Sequence, residues 1–446
     1  MQRLRTWDFA AKFIVRKKLV DLRKIPYNEF GAWTRNELVA LGPTFVKLGQ
    51  IASTRSDVLP VEFTRELESL QDRVPPMTPE DVTTVLGAHA FSTFDFEPYK
   101  SASLGQVHIA KLGTGEKVLV KLQRLGIEEI ITEDIQNISE VLEFFDAVGL
   151  STGSSTRTVF QESSRYIYDE IDYLKESSNA TRIRENFVGT PWLVIPRVYT
   201  ELTTKRILVM EFVPSKKILE HPASIDRKRL ARCLIECFVT QVTDHRFFHA
   251  DPHPGNMGLT PDGRLVLYDF GLAVDVPGDL SEGLKKLLNL LIRRDTKGIV
   301  QTLIELGVII PGTKNIDDIA LFFESIIDFL DGRGLTDTGV TEILAREKPF
   351  TLPSSFVFLL RTFSLIDIQC KQLDPDFTLY KYLEPMVEVD LTGAFDVQKI
   401  VEMPGRIKAI NDSVERSRGA MKRSLDRNYE LLRVATLINL LALLLQ

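Results

Sequence analysis

The sequence predicts an α+β fold of two lobes, in which a small sheet-containing part is followed by a larger helical part. Residues 103–111 and 116–123 are strand-like segments joined by a Gly-Thr-Gly turn, which indicates an antiparallel hairpin. From residue 226 onward the spacing of apolar residues is mainly helical, and a short strand at 265–268 interrupts it. The length of 446 residues agrees with two or three such units.

The composition is ordinary for a soluble globular protein, with 44% hydrophobic and 26% charged residues. The net charge of −6 gives no indication of nucleic-acid binding. The 3 cysteines lack metal-binding or disulfide spacing and predict core thiols in a reducing, intracellular compartment. We see no secretory signal and expect the protein not to be secreted. The apolar segment 434–445 is too short to cross a bilayer, and it predicts an interfacial helix, a partner-binding helix or the start of a longer tail.

The first 95 residues predict a mainly helical extension. Apolar residues recur at helical spacing over 36–55 and 60–73, and a proline-rich segment at 75–79 precedes a helix capped by Thr78. Residues 1–24 contain many more basic than acidic side chains. This pattern favours a solvated helix face, and contact with an anionic membrane surface is the alternative.

Four units follow from these patterns. They are a helical extension at 1–95, a smaller lobe with a helical insertion at 96–213, a larger lobe at 214–385, and a helical C-terminal tail at 386–446. Within the smaller lobe we expect helices over 127–148 and 158–186 and strands over 192–195 and 206–212.

Residues 249–256, His-Ala-Asp-Pro-His-Pro-Gly-Asn, carry a histidine, an aspartate and an asparagine at the spacing of a protein-kinase catalytic loop. An Asp-Phe-Gly motif follows at 269–271, after a turn and a short strand. In kinases the loop aspartate orients the attacking group, while the asparagine and the second aspartate bind Mg²⁺. We therefore predict a catalytic role for Asp251 and a Mg²⁺ site formed by Asn256 and Asp269.

Lys121 follows three apolar residues of a predicted strand, which is the position of the kinase lysine that contacts ATP phosphates. Its carboxylate partner is expected in the helix over 158–186, where spacing does not choose between Glu170 and Glu176. Glu211 and Val213 end the next apolar strand and resemble the hinge whose backbone contacts the adenine ring.

The glycine-rich phosphate loop of kinases is replaced here by Lys-Ser-Ala-Ser at 100–103. We expect Ala102 and Ser103 to lie over the ATP phosphates, in a stiffer loop than a glycine-rich one. No Ala-Pro-Glu motif follows residue 271, and a helix predicted over 280–293 leaves little room for an activation loop. A peptide-docking platform of the usual kinase type is therefore not expected.

Together these motifs resemble the UbiB family, the aarF-domain atypical kinases of quinone and prenyl-lipid metabolism, with cyanobacterial and plastid members most similar. The resemblance rests on Lys-Leu-Gly-Gln at 47–50, the Ala/Ser-rich loop, Glu-Ile-Asp at 170–172 and the loop ending at Asn256. It implies that Glu176 pairs with Lys121. It also implies that Glu170 and Asp172 meet Lys47 and Gln50, so that the N-terminal extension covers the site where a protein substrate would dock.

The same resemblance implies an ATPase or atypical kinase that uses ATP and Mg²⁺ and supports isoprenoid-quinone or plastid prenyl-lipid homeostasis. Its partners would be prenyl-lipid or quinone-type molecules and lipid-biosynthesis proteins, at the periphery of a plastid or cyanobacterial-type membrane. One alternative is a nucleotide-binding scaffold that recruits such proteins without transferring phosphate. A second is a protein serine/threonine kinase, which the missing activation segment disfavours.

Overall fold

The computed structural model describes residues 2–53, 59–70, 75–89, 91–148, 154–220, 225–309, 317, 319–321, 323–324, 354–378 and 382. Its helices are α1 (Gln2–Asp21), α2 (Tyr27–Leu41), α3 (Pro43–Ser53), α4 (Val61–Leu67), α5 (Pro79–Leu86), α6 (Ile127–Ala147), α7 (Ser154–Glu170), α8 (Tyr173–Asn186), α9 (Arg227–Thr243), α10 (Gly278–Arg293), α11 (Thr296–Glu305) and α12 (Ser354–Leu373). The predicted tail at 386–446, with its apolar segment, lies outside the described residues.

In the described part of the chain, three sheets accompany these helices. Their strands are β1 (Thr93–Phe94), β2 (Lys100–Ser101), β3 (Gly105–Lys111), β4 (Lys117–Gln123), β5 (Leu193–Val194), β6 (Ile207–Glu211), β7 (Lys216–Lys217), β8 (Phe247–His249), β9 (Met257–Leu259), β10 (Leu265–Leu267) and β11 (Ala273–Asp275). The first sheet has the order β1-β3-β4-β6, with β2 also paired to β3. The second has the order β5-β10-β9-β7, and β8 pairs with β11.

The side chains of β4 alternate between the two faces of the sheet, and this alternation sets the direction of Lys121. Val118, Val120 and Leu122 are fully buried and pack with residues of β3, β6 and α5 in one apolar cluster. Successive side chains of a strand point to opposite faces, so Lys121 projects from the other face of the sheet. In register it lies between Val107 of β3 and Leu208 of β6, so its backbone is fixed on both sides.

The largest apolar cluster joins α9 and α12 to the hairpin β9–β10. Leu234 and Phe238 of α9 pack in this cluster with Ile366 and Cys370 of α12, and all four are buried. This packing fixes the elements on either side of the 249–256 loop. The short gap between β11 and α10 confirms the expectation that little room exists for an activation loop.

Two predicted helices are wrong because each contains a break. The helix predicted over 36–55 ends at Leu41, since Gly42 adopts φ +121° and Pro43, which lacks a backbone N–H, begins α3. The helix predicted over 158–186 breaks after Glu170, and Asp172 caps the new helix α8. The predicted cap at Thr78 is confirmed, because its hydroxyl accepts a hydrogen bond from the Asp81 amide.

The N-terminal helices α1 to α4 pack around aromatic side chains, of which Phe30, Phe45 and Phe63 are buried. Within the described ranges, we find no helix with the length and apolar character needed to span a membrane.

Candidate active site

Three charged groups from separate elements meet beside the first sheet. The Lys121 Nζ atom donates to both Glu176 carboxylate oxygens, at 3.1 Å and 2.8 Å. It also lies 3.4 Å from Asp269 Oδ1. Glu176 stands in the first turn of α8, and the cap by Asp172 starts that helix at the register that turns Glu176 toward β4. Of the two candidate partners left open by spacing, Glu176 is the one in contact with Lys121.

Burial and charge act in opposite directions on these groups. Burial opposes the charge of Lys121, but Asp269 and Glu176 outweigh it and hold the pKa of Lys121 well above its usual value. Burial raises the pKa of Glu176 to about 7, although Lys121 acts against this rise. Burial also opposes the charge of Asp269, yet Lys121 and Lys47 lower the pKa of Asp269 to about 2. Asp269 is therefore ionised at any physiological pH.

The predicted catalytic loop, residues 249–256, is held by its own side chains. The Asp251 amide donates to His249 Nδ1 at 3.1 Å, so the Nε2 atom carries the ring proton and donates to the Tyr268 carbonyl at 3.0 Å. The Asn256 amide nitrogen donates to the Asp251 backbone carbonyl at 3.1 Å and to its Oδ2 at 3.3 Å. This use of the nitrogen leaves the Asn256 Oδ1 atom as the oxygen that can face a metal.

The donor set fits Mg²⁺. The Asn256 amide oxygen and the ionised Asp269 carboxylate are hard oxygen ligands, and β9–β10 brings their residues together, with the Tyr268 amide donating to the Asn256 carbonyl at 2.8 Å. Asp269 has φ +58°, in the left-handed region that aspartate tolerates better than most residues. Asn179 of α8 holds the next turn by donating to the Phe270 carbonyl at 2.9 Å. Among the described residues no cluster of three or more His, Cys, Asp or Glu side chains forms a metal site alone.

The Ala/Ser loop forms a tight turn over this site. The Ala102 amide donates to the Gly105 carbonyl at 2.9 Å, and Arg124 donates to the Ala102 carbonyl and to the Ser101 hydroxyl, both at 2.9 Å. Ser103 is almost completely buried, and its hydroxyl has no hydrogen-bond partner in the described part of the chain.

The hinge residues are tied to neighbouring segments. The Glu211 carboxylate accepts from the Arg197 amide at 3.1 Å, and the Glu211 amide donates to the Arg197 carbonyl at 2.8 Å. The Tyr268 hydroxyl donates to the Val213 carbonyl at 3.2 Å and lies 2.6 Å from the Ser215 hydroxyl. Tyr268 directly precedes Asp269, and it therefore links the predicted hinge to the turn that carries Asp269.

An ion pair joins the family motif of the N-terminal extension to α7. Lys47 of α3 lies 2.5 Å from Glu170 at the end of α7. Asp172 and Gln50, which the resemblance places together, make other contacts within the described residues. The Asp172 carboxylate accepts from the Leu174 and Lys175 amides as the cap of α8, and the Gln50 side chain donates to the Leu70 carbonyl at 3.3 Å.

One contact was not predicted. Arg361 of α12 donates from Nη2 to Asp251 Oδ1 at 2.9 Å. The two residues are 110 positions apart, and Arg361 belongs to no motif, so the sequence offered no signal for this pair.

Comparisons with known proteins support the resemblance. A model of the ABC1 atypical kinase-like domain matches residues 69–303, just over half of the chain. The Arabidopsis thaliana protein ACTIVITY OF BC1 COMPLEX KINASE 7, chloroplastic, is 33% identical, with coverage of 92% of this chain and 63% of the relative. The probable protein kinase UbiB of Pseudomonas putida is 32% identical, with coverage of 80% and 70%. The chain thus spans less than two thirds of the length of the chloroplast relative.

An uncharacterised Synechocystis protein is 33% identical, with coverage of 85% of this chain and 67% of the relative. Among solved structures, the Mycobacterium tuberculosis Rv3197–erythromycin complex matches with a TM-score of 0.55 and 24% identity, over 73% of this chain and 87% of that chain. At this identity the likeness concerns the fold alone, and it confirms the predicted kinase-like fold with its helical N-terminal region. The chain therefore belongs to the ABC1 atypical kinase-like family, as the UbiB and chloroplast relatives do.

Proposed function

We propose that this protein binds ATP with Mg²⁺ and catalyses phosphoryl transfer, with water as its main acceptor. The observation that carries the proposal is the meeting of Lys121, Glu176 and Asp269, which come from β4, α8 and the turn after β10. This arrangement puts a fixed cation beside an ionised carboxylate, as phosphate and metal binding require. It is also connected to the catalytic loop, because His249 of the loop donates to the carbonyl of Tyr268, the residue before Asp269.

Each residue then has a role. Lys121 holds the ATP phosphates, and Glu176 keeps its ammonium in place. Asn256 and Asp269 hold Mg²⁺, which would neutralise charge on the phosphate oxygens. Asp251 orients the attacking water, and the Ser103 hydroxyl donates to a phosphate oxygen.

Water is favoured over a protein hydroxyl because the acceptor side of the cleft is crowded. Lys47 and Glu170 join α3 to α7 beside the site. The chain returns to helix at Gly278, seven residues after Gly271, and leaves no long segment that could bind a peptide. Phosphorylation of a defined protein in trans would support the protein-kinase alternative instead.

The test is ATP hydrolysis by the purified protein and its Asp269→Asn variant. We expect the variant to lose on the order of 10²-fold in turnover, as when one preorganised contact to transition-state charge is removed. Asp262→Asn is the matched control, because Asp262 lies on the same hairpin but at its exposed end, where it pairs with Arg264. Wild-type turnover in Asp269→Asn would refute the proposal.

A role in prenyl-lipid or quinone homeostasis at a membrane periphery is the finer part of the proposal, and it is supported by the family resemblance. Adding vesicles of anionic lipid with a quinone-type lipid to the ATPase assay tests it, and a stimulated rate is the expected result. The scaffold alternative gains support from the covered cleft. It predicts that nucleotide-dependent copurification of lipid-synthesis proteins persists in Asp251→Asn.

A further inference from the structure

Side chains of helix α12 donate hydrogen bonds to three consecutive residues of the catalytic loop. The contacts are Thr362 Oγ1 to the Ala250 carbonyl at 3.3 Å, Arg361 Nη2 to Asp251 Oδ1 at 2.9 Å, and Gln369 Nε2 to the Pro252 carbonyl at 2.6 Å. Two of these bonds fix the backbone on either side of Asp251, and the third reaches its carboxylate. The loop thus folds against α12 as well as against its own side chains.

The helical repeat explains why these three residues cooperate. Thr362 and Gln369 are seven residues apart, which is almost two full turns, so both lie on the face that packs toward α9 and are buried. Arg361 precedes Thr362 by about 100° of helix rotation and lies at the edge of that face. Its side chain is 26% exposed, and from that edge it reaches the similarly half-buried carboxylate of Asp251.

The Asp251 carboxylate is consequently held from both sides. Arg361 binds Oδ1, and the Asn256 amide nitrogen binds Oδ2 at 3.3 Å. The loop supplies no guanidinium of its own, since Ala250 stands where the H-R-D loop of ordinary kinases has arginine. An aspartate that must orient an attacking group needs one fixed rotamer, and these two donors fix it before any nucleotide binds.

We propose that Arg361 is the positioning residue of Asp251 and that α12 is part of the active site. The proposal deepens the proposed phosphoryl transfer and rests on it for the turnover experiment. Helix α12 lies beyond residues 69–303, the part matched by the ABC1 domain, so the catalytic loop depends on an element outside that match. The guanidinium acts through Asp251 and contacts no substrate.

A double-mutant cycle on ATP hydrolysis tests this assignment. We expect Arg361→Met to lower kcat by on the order of 10-fold to 100-fold, as for a misplaced catalytic group, while the KM for ATP stays within about twofold. Arg361→Lys should recover part of the loss, because it keeps a cation but not the planar fork. In an Asp251→Asn background, Arg361→Met should cost nothing further. Additive losses, or a change in KM alone, would overturn the proposal.

Lys371→Met is the matched control. Lys371 is a cation of the same helix, and it pairs with Asp367 of that helix rather than with the catalytic loop. We expect this variant to keep wild-type turnover. A loss equal to that of Arg361→Met would mean that any lost cation on α12 has the same effect, and the specific role would fail.

Hydrogen exchange of residues 247–256 in the nucleotide-free protein gives a readout that does not depend on catalysis. Exchange should be faster in Arg361→Met and unchanged in Lys371→Met. If the wild type hydrolyses no ATP but the loop responds, the proposed function fails and the positioning contact stands. If the wild type hydrolyses ATP and Arg361→Met turns over equally fast with an unchanged loop, the positioning role fails and the function stands.

Discussion

At the scale of one residue, Glu176 shows how burial changes the protonation of a side chain. Its side chain is only 1% exposed, so its ionised form has lost nearly all contact with water. Lys121 returns part of that loss, yet burial dominates and raises the pKa of Glu176 to about 7. The folded protein therefore binds a proton at Glu176 in a pH range where the unfolded chain has already released it.

The substitution Glu176→Gln should reveal this as a pH-dependent change in stability. Between the ordinary value of 4.5 and about 7, the folded wild type holds one proton more than the unfolded chain, so its stability falls as pH rises. The variant has no titrating group at position 176, so it lacks this pH dependence. We therefore expect the difference in free energy of unfolding, variant minus wild type, to increase by roughly 1–3 kcal/mol from pH 5 to pH 8. Denaturant titrations of both nucleotide-free proteins measure it, and a pH-independent difference would contradict the assignment.

Single residues were predictable where a short motif carries them. Asp251, Asn256 and Asp269 lie within 19 residues of one another along the chain, and the hairpin β9–β10 needs only local pairing to bring them together. The cap formed by Asp172 was not predicted, because the sequence alone does not show that a helix starts at this carboxylate. Arg361 was invisible because its contact depends on how α12 packs, which no local pattern encodes.

At the scale of elements, the loop between β2 and β3 is shaped by close packing at Gly105. A Cβ atom there would lie 2.5 Å from the Leu122 carbonyl oxygen and 2.5 Å from the Tyr173 hydroxyl. Tyr173 also presents its ring to the Lys121 ammonium, 5.1 Å from the ring centroid. The absent side chain at Gly105 thus lets the sheet, α8 and the phosphate loop approach one another.

The substitution Gly105→Ala should therefore destabilise the protein by about 1–3 kcal/mol, the usual cost of inserting a methyl group into packed structure. Gly113→Ala is the control within the turn that follows the same strand, since a Cβ at Gly113 meets nothing within 4 Å. It should be neutral or slightly stabilising, because it restricts the unfolded chain. Thermal unfolding of both variants measures the difference, and equal effects would refute the packing argument.

The elements themselves were largely predictable, and the errors have physical causes. The alternation in β4 and the turn at 113–115 located the hairpin, since both signals are local. The break before α3 was missed because apolar spacing continued through Gly42 and Pro43, although a Gly-Pro pair is itself a stop signal. Periodicity reports which residues can share a helix face, but it does not report where the backbone turns.

For the molecule as a whole, the ion pair of Lys47 and Glu170 connects the N-terminal helices to α7, beside the candidate active site. Burial disfavours the charged form of Glu170 and raises its pKa, and Lys47 acts against that rise. Lys47 in turn helps to lower the pKa of Asp269. The extension thus acts on Asp269 through the charge of Lys47, in addition to its contact with Glu170.

Charge exchange tests this coupling. Lys47→Glu and Glu170→Lys should each speed hydrogen exchange in α3, and the double variant should restore most of the protection, since the pair is re-formed with reversed sign. Asp169→Lys makes the same charge change one residue earlier, where the wild-type partner is Lys175, and should leave α3 unaffected. No recovery in the double variant would count against the pair.

The basic segment at the start of the chain is largely engaged within the fold. Its contacts are Arg3 with Glu140, Arg5 with the Ala40 carbonyl, Lys12 with Asp8, Arg16 over the Trp33 ring and Lys17 with Asp21. These partners support the interpretation of α1 as a solvated and packed helix. Any attraction of α1 to an anionic membrane would therefore compete with contacts that the folded protein already makes.

The hydrogen bonds between α12 and the loop also have a consequence for the design of chimeras and fragments. Residues 247–256 and 354–373 are distant in sequence, yet they form one hydrogen-bonded unit around Asp251. A chimera that exchanges the catalytic loop between relatives must therefore carry the matching helix with it. A recombinant fragment cut at residue 303 would keep the motifs by which the family is recognised and lose the arginine that holds its central aspartate.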